Sequence, residues 1–146
     1  MAESKFLYVT YIRASAENIW KHLTDPELNK LFWGGYAQVS AWTVGADWNI
    51  TGPGGEVWDE GKVVAFDPPR RLVLNWRHVK NDAMRAEGLS TATFDLEAAK
   101  AEGVTKLTVT HTIGVEDSKL IEAVSGGWPS ILASLKSLLE TGQALG

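Results

Sequence analysis

Cysteine is absent from this 146-residue chain, so disulfides, thiolate metal sites, iron–sulfur clusters and a cysteine nucleophile are all excluded. Basic clustering is equally scarce. The longest run of Lys or Arg is Arg70-Arg71 and the formal net charge is −4, which argues against a surface built for nucleic acid or anionic lipid. No apolar run approaches the roughly 20 residues that span a bilayer, and Met1–Lys5 leads into strand-like sequence rather than a basic-then-apolar leader. A cytoplasmic protein that does not insert into membranes is the expectation. His22, His78 and His111 lie far apart and none has a partner at H-x-H or H-x-x-x-H spacing, so no metal is expected. Thr51–Gly55 is glycine-rich but lacks the Lys-Ser/Thr of a phosphate loop, and no G-x-S-x-G elbow occurs. No cofactor is expected either.

What the chain has in excess is tryptophan, seven in all: Trp20, Trp33, Trp42, Trp48, Trp58, Trp76 and Trp128. Each carries a wide apolar ring and one N–H that needs a partner when buried. In a chain of this length, which reads as one domain over residues 1–146, so many indoles imply a bulky core or the lining of an apolar cavity.

Phe6–Arg13 is β-branched and aromatic and reads as a strand. Ser15 can cap a short helix carrying Ile19, Trp20 and Leu23 on one side, and Thr24 with Glu27 fits a capping box for a second helix, with Pro26 in its first turn. Strand-like segments follow at Ala37–Thr43, Asp47–Thr51, Val57–Phe66, Leu72–His78, Leu89–Glu97 and Lys106–Ile113, with Lys80–Gly88 as a polar loop. Within Leu72–His78, alternation puts Leu72, Leu74, Trp76 and His78 on one face. The last stretch, Ser118–Thr141, changes to helical period: Leu120, Ile121, Val124, Trp128, Ile131, Leu132, Leu135, Leu138 and Leu139 form one stripe. Gly126-Gly127 and Pro129 inside it predict a bend or a weak point. The economical packing is α+β: a curved antiparallel sheet of six or seven strands wrapped around the terminal helix, with a space left between them.

Three local signatures occur in this order: Thr24-Asp25-Pro26-Glu27 after Ile19-Trp20; Phe66-Asp67-Pro68-Pro69-Arg70-Arg71-Leu72 leading to Trp76; and Gly127-Trp128-Pro129 followed by Leu132, Leu135 and Leu139. With this element order the chain resembles the START-like, or helix-grip, superfamily (SRPBCC). The branch it resembles is the one related to the C-terminal domain of the activator of the heat-shock-protein-90 ATPase. The resemblance implies the helix-grip fold and a deep apolar cavity. It does not imply one reaction.

Trp33, Leu74, Trp76, His111, Trp128 and Leu132 are the candidate cavity-lining residues, with Trp33, beside Gly34-Gly35, as a lid at the mouth. His111 shares strand phase with Leu107, Val109 and Ile113 and so faces where they face. Asp59 and Glu60 are adjacent on a strand and cannot form one acid/base pair, but either one turned inward would have a raised pKa. No catalytic residue is assigned. Three functions remain open, in this order: a non-enzymatic binder of a small apolar or aromatic molecule, a protein-interaction module like the chaperone activator, and a cyclase- or hydratase-like enzyme using His111.

Overall fold

The computed structural model describes residues 3–145; Met1 and Ala2, where the leader was sought, and Gly146 lie outside them. Among the described residues seven strands form one antiparallel sheet. They are β1 (Ser4–Ile12), β2 (Ala37–Ser40), β3 (Asp47–Thr51), β4 (Val57–Asp67), β5 (Arg71–His78), β6 (Ser90–Ala98) and β7 (Thr105–Ile113), in the spatial order β1-β7-β6-β5-β4-β3-β2. Helices α1 (Ala16–Thr24) and α2 (Pro26–Phe32) follow β1, α3 (Asp82–Ala86) precedes β6, and α4 (Lys119–Thr141) ends the chain. The α+β helix-grip arrangement expected from the sequence is the one found. No helix among the described residues is long and apolar enough to cross a membrane.

Period-2 alternation decides the faces. Along β7, Leu107, Val109, His111 and Ile113 are buried while the residues between them are half-buried. Along β5, Leu72, Leu74 and Trp76 point into the same core. α4 lays Leu120, Ile121, Trp128, Leu132 and Leu135 against that face and runs unbroken across Gly126, Gly127 and Pro129. Its start is fixed twice: the Ser118 hydroxyl accepts from Ile121 N, and the Glu87 carboxylate accepts from Ser118 Oγ, Lys119 N and Leu120 N. A carboxylate at a helix N-terminus satisfies orphan N–H groups and complements the dipole. Glu87→Ala is therefore expected to cost about 1 kcal/mol, read as a lower denaturation midpoint with unchanged slope.

Two local expectations are corrected. The capping box of Thr24 and Glu27 does not form. Thr24 belongs to α1 and its hydroxyl donates to Trp20 O; the cap of α2 is Asp25, whose Oδ1 accepts from Glu27 N and Leu28 N. Pro26 keeps the preceding residue out of helical geometry, and Asp25 at φ −99°, ψ 117° has the extended backbone that a cap requires. The Lys80–Gly88 loop also contains a helical turn, α3, started by the Asn81 side chain accepting from Met84 N.

Gly61 lets two tryptophans meet. It pairs with Trp48 on one side and Trp76 on the other, and those indoles have ring centroids 4.5 Å apart. A Cβ at Gly61 would fall 1.9 Å from the Asn75 carbonyl oxygen, so no other residue fits. The Trp48 N–H donates to Gln38 Oε1, and Gln38 Nε2 in turn donates to Leu23 O at the end of α1. Buried Asn29 adds bonds to His22 O and Leu23 O. The helix pair, the edge strands and the indole core are thereby joined by one satisfied polar network.

Candidate functional site

An aromatic cluster centred on Trp128 lies between sheet and helix. Trp128 of α4 has ring centroids 5.5 Å from Trp76, 5.5 Å from Phe94 and 5.7 Å from Trp33. Behind this cluster Leu74, His111 and Leu132 are sealed, at 0%, 0% and 1% exposure. In front of it lies a cleft of about 500 Å3, open to solvent. Its walls come from three directions. The end of α2 and the turn after it supply Phe32, Trp33 and Tyr36; β4 and β5 supply Trp58, Asp59, Trp76 and His78; α4 supplies Leu120, Val124, Trp128, Ile131 and Ser134.

Of the residues singled out from the sequence, the structure brings Trp33, Trp76 and Trp128 to the cleft surface and places Leu74, His111 and Leu132 in the wall behind them. Trp33 is half-buried at the rim, where positive φ at Gly34 (59°) and Gly35 (85°) reverses the chain beneath it. Trp20 packs on Phe66 at 5.4 Å and Trp42 on the same ring at 6.3 Å; neither lines the cleft.

Trp58 and Tyr36 were not assigned from the sequence, and β4 shows why. Ile50 of β3 pairs with Asp59 but its neighbour Thr51 pairs with Val57, so Trp58 is one residue extra. Such a bulge interrupts strict alternation and re-aims a side chain. Trp58 and Asp59, adjacent in the chain, thus both reach the cleft. Tyr36 meets Trp58 edge-on at 5.9 Å, and the Trp58 N–H donates to Glu56 Oε1.

His111 is a closed structural unit. The Trp128 N–H, which can only donate, points at His111 Nδ1 at 3.2 Å, so that nitrogen is the acceptor. The proton then sits on Nε2, which donates to Ser90 Oγ at 2.8 Å, and the Ser90 hydroxyl donates in turn to Trp76 O. Burial pushes the imidazole down to about 4. With both nitrogens engaged and no exposed surface, His111 is poorly placed for proton transfer to a substrate.

The polar group that does face the cleft is Asp59. It is a cross-strand partner of His78, and its Oδ1 accepts from Trp76 Nε1 at 2.9 Å and faces His78 Nδ1 at 3.0 Å. Burial raises its pKa above the usual carboxylate value, against the lowering influence of the His78 and Trp76 hydrogen bonds. Glu60, next in the chain, turns the other way and pairs with Arg77 on the convex face. Among the described residues no cluster of three or more His, Asp or Glu side chains is arranged to hold a metal ion.

The family model described as "Activator of Hsp90 ATPase homolog 1-like protein" matches residues 13–140. The chain belongs to this family. Solved structures agree. A crystal structure of a Mesorhizobium loti protein superposes with a TM-score of 0.78 at 23% identity, covering 94% of this chain and 97% of that one. The solution structure of the Aha1 dimer from Colwellia psychrerythraea gives 0.76 at 25% identity, covering 97% and 99%. An HSP90 activator from Plasmodium falciparum gives 0.72 at 18%, covering 92% and 95%. The first and third likenesses establish the fold alone. Among curated proteins no sequence matches. In this chain the cleft is walled by four indoles and holds one buried carboxylate among the described residues.

Proposed function

We propose that this protein binds a small apolar or aromatic molecule in the cleft between the Trp58–Asp59 end of β4, the Trp76–His78 end of β5 and the first half of α4. The observation that carries the reading is the cleft itself, about 500 Å3 in volume and walled mainly by aromatic and aliphatic side chains. Small-molecule sites occupy roughly 300–1,000 Å3 and combine such walls with a few placed polar groups. Here those groups are Asp59 and His78. Trp33, at the rim and resting on Trp128, is the side chain a ligand would displace or cover itself with.

The test is a panel of neutral aromatic compounds and lipids, read by tryptophan fluorescence and by thermal denaturation. A ligand present at about 100 times its Kd stabilises the native state by about 2.7 kcal/mol, so quenching and a raised Tm should appear together. A panel that produces neither sinks the reading.

A second reading, association with an Hsp90-type chaperone, rests on the family description and on the likeness to the Colwellia psychrerythraea Aha1. Stimulation of that chaperone's ATPase by the purified protein supports it; absence of both binding and stimulation removes it.

A further inference from the structure

The lining of the cleft is unevenly charged. Among the described residues it holds one carboxylate, Asp59, and no Lys or Arg. Asp59 is 8% exposed. One of its oxygens, Oδ1, takes the Trp76 N–H and faces His78 Nδ1. Because an indole N–H only donates, Oδ1 is an acceptor. The second oxygen, Oδ2, has no hydrogen-bond partner among the described residues. Oδ2 is not fully buried and is reachable from the cleft, and a carboxylate takes its strongest hydrogen bonds from a cationic donor.

The surrounding rings point the same way. Indole and phenol faces carry negative charge density and attract cations. Trp58 already illustrates this, with Lys80 Nζ 5.5 Å from its ring centroid. Glu56, bonded to the Trp58 N–H, adds a further negative charge near the same ring. The nearby titratable groups are thus Asp59, His78, Tyr36, Glu56 and Lys80, and of these Asp59, His78 and Tyr36 line the cleft.

Resting on the small-molecule reading of the cleft, we infer that its preferred ligand joins an apolar aromatic body to an ammonium group, with the nitrogen held by Asp59 Oδ2 among the Trp58, Trp76 and Tyr36 rings. Neutral analogues keep the apolar contacts and lose the ion pair. Carboxylate ligands such as fatty acids meet a like charge in a poorly screened site and are disfavoured.

The experiment compares three compounds sharing one body, naphthylethylamine, naphthylethanol and naphthylacetate, by calorimetric titration of the wild-type protein near neutral pH. The amine should bind at least about tenfold more tightly than the alcohol, and the acetate more weakly than the alcohol. In Asp59→Asn, which keeps an acceptor for Trp76, the amine's advantage over the alcohol should vanish. Equal binding of amine and alcohol to the wild type overturns this inference and leaves the cleft reading standing. An amine advantage that survives in folded Asp59→Asn overturns it as well. If none of the three binds, both readings fall. Because the wild-type series decides by itself, a variant that does not fold leaves the test intact.

Discussion

Trp128→Ala should be among the most damaging truncations in the core, costing about 3–5 kcal/mol. The indole is 2% exposed and contacts Trp33, Trp76 and Phe94 while its N–H holds His111. Truncation therefore removes the centre of an aromatic cluster and leaves a buried imidazole nitrogen without its donor. Domains of this kind have a total stability of roughly 5–15 kcal/mol, so the variant should be marginal or unfolded at ambient temperature. Trp128→Phe separates the two contributions: it keeps most of the packing and loses the hydrogen bond, for a cost of about 1–3 kcal/mol. Urea denaturation of both variants gives the answer. A loss below about 1 kcal/mol in Trp128→Ala would mean that the cluster does not hold α4 to the sheet.

His111 should give the protein a marked acid sensitivity. Its native pKa is held down to about 4 by burial, whereas in the unfolded chain it titrates near 6.5. The unfolded state therefore binds the proton first as pH falls, and the sign follows. Stability from the neutral imidazole is fully present above about pH 6.5 and is lost progressively down to about pH 4, by roughly 3 kcal/mol in all. Asp59 acts in the opposite direction: its raised pKa favours the native state at low pH and withdraws that contribution as pH rises above the unfolded carboxylate value. It offsets part of the loss only at the acid end. His111→Gln, whose amide can accept from Trp128 and donate to Ser90, should flatten the stability profile between these limits. Denaturation midpoints measured across that range decide it; a variant with the wild-type slope shows that some other group carries the acid sensitivity.

Much of this was legible in the sequence because alternation and helical period are local. The inward set of β5, the phase of His111 with Leu107 and Val109, and the Trp128 stripe of α4 all follow from spacing within one element; most of these residues are buried, while His78, Val124, Ile131, Leu138 and Leu139 are half-buried. Register between strands is not local. That Gly61 brings Trp48 and Trp76 together, and that Asp59 sits opposite His78, depends on how β3, β4 and β5 align. Sequence reasoning placed His78 on the inward face and flagged an inward Asp59, but nothing in the chain paired them. Trp58 was harder still, since the extra residue in β4 breaks the alternation on which its assignment would rest. The cap of α2 was misplaced by one residue because Thr and Asp are both good caps. Only the restriction that Pro26 imposes on Asp25 separates them. As for the tryptophans, Trp48 is core, while Trp33, Trp58, Trp76 and Trp128 line the cleft, the last two largely buried.

The seven indole N–H groups provide the most direct measurement of the central claim, because each gives a separate resonance in a proton–nitrogen NMR correlation spectrum. On titration with naphthylethanol, the account predicts saturable shifts at Trp33, Trp58, Trp76 and Trp128, which line the cleft, and no change at Trp20 and Trp42, which pack around Phe66 away from it. Saturable binding that moves Trp20 and Trp42 while leaving the four cleft indoles in place would contradict it.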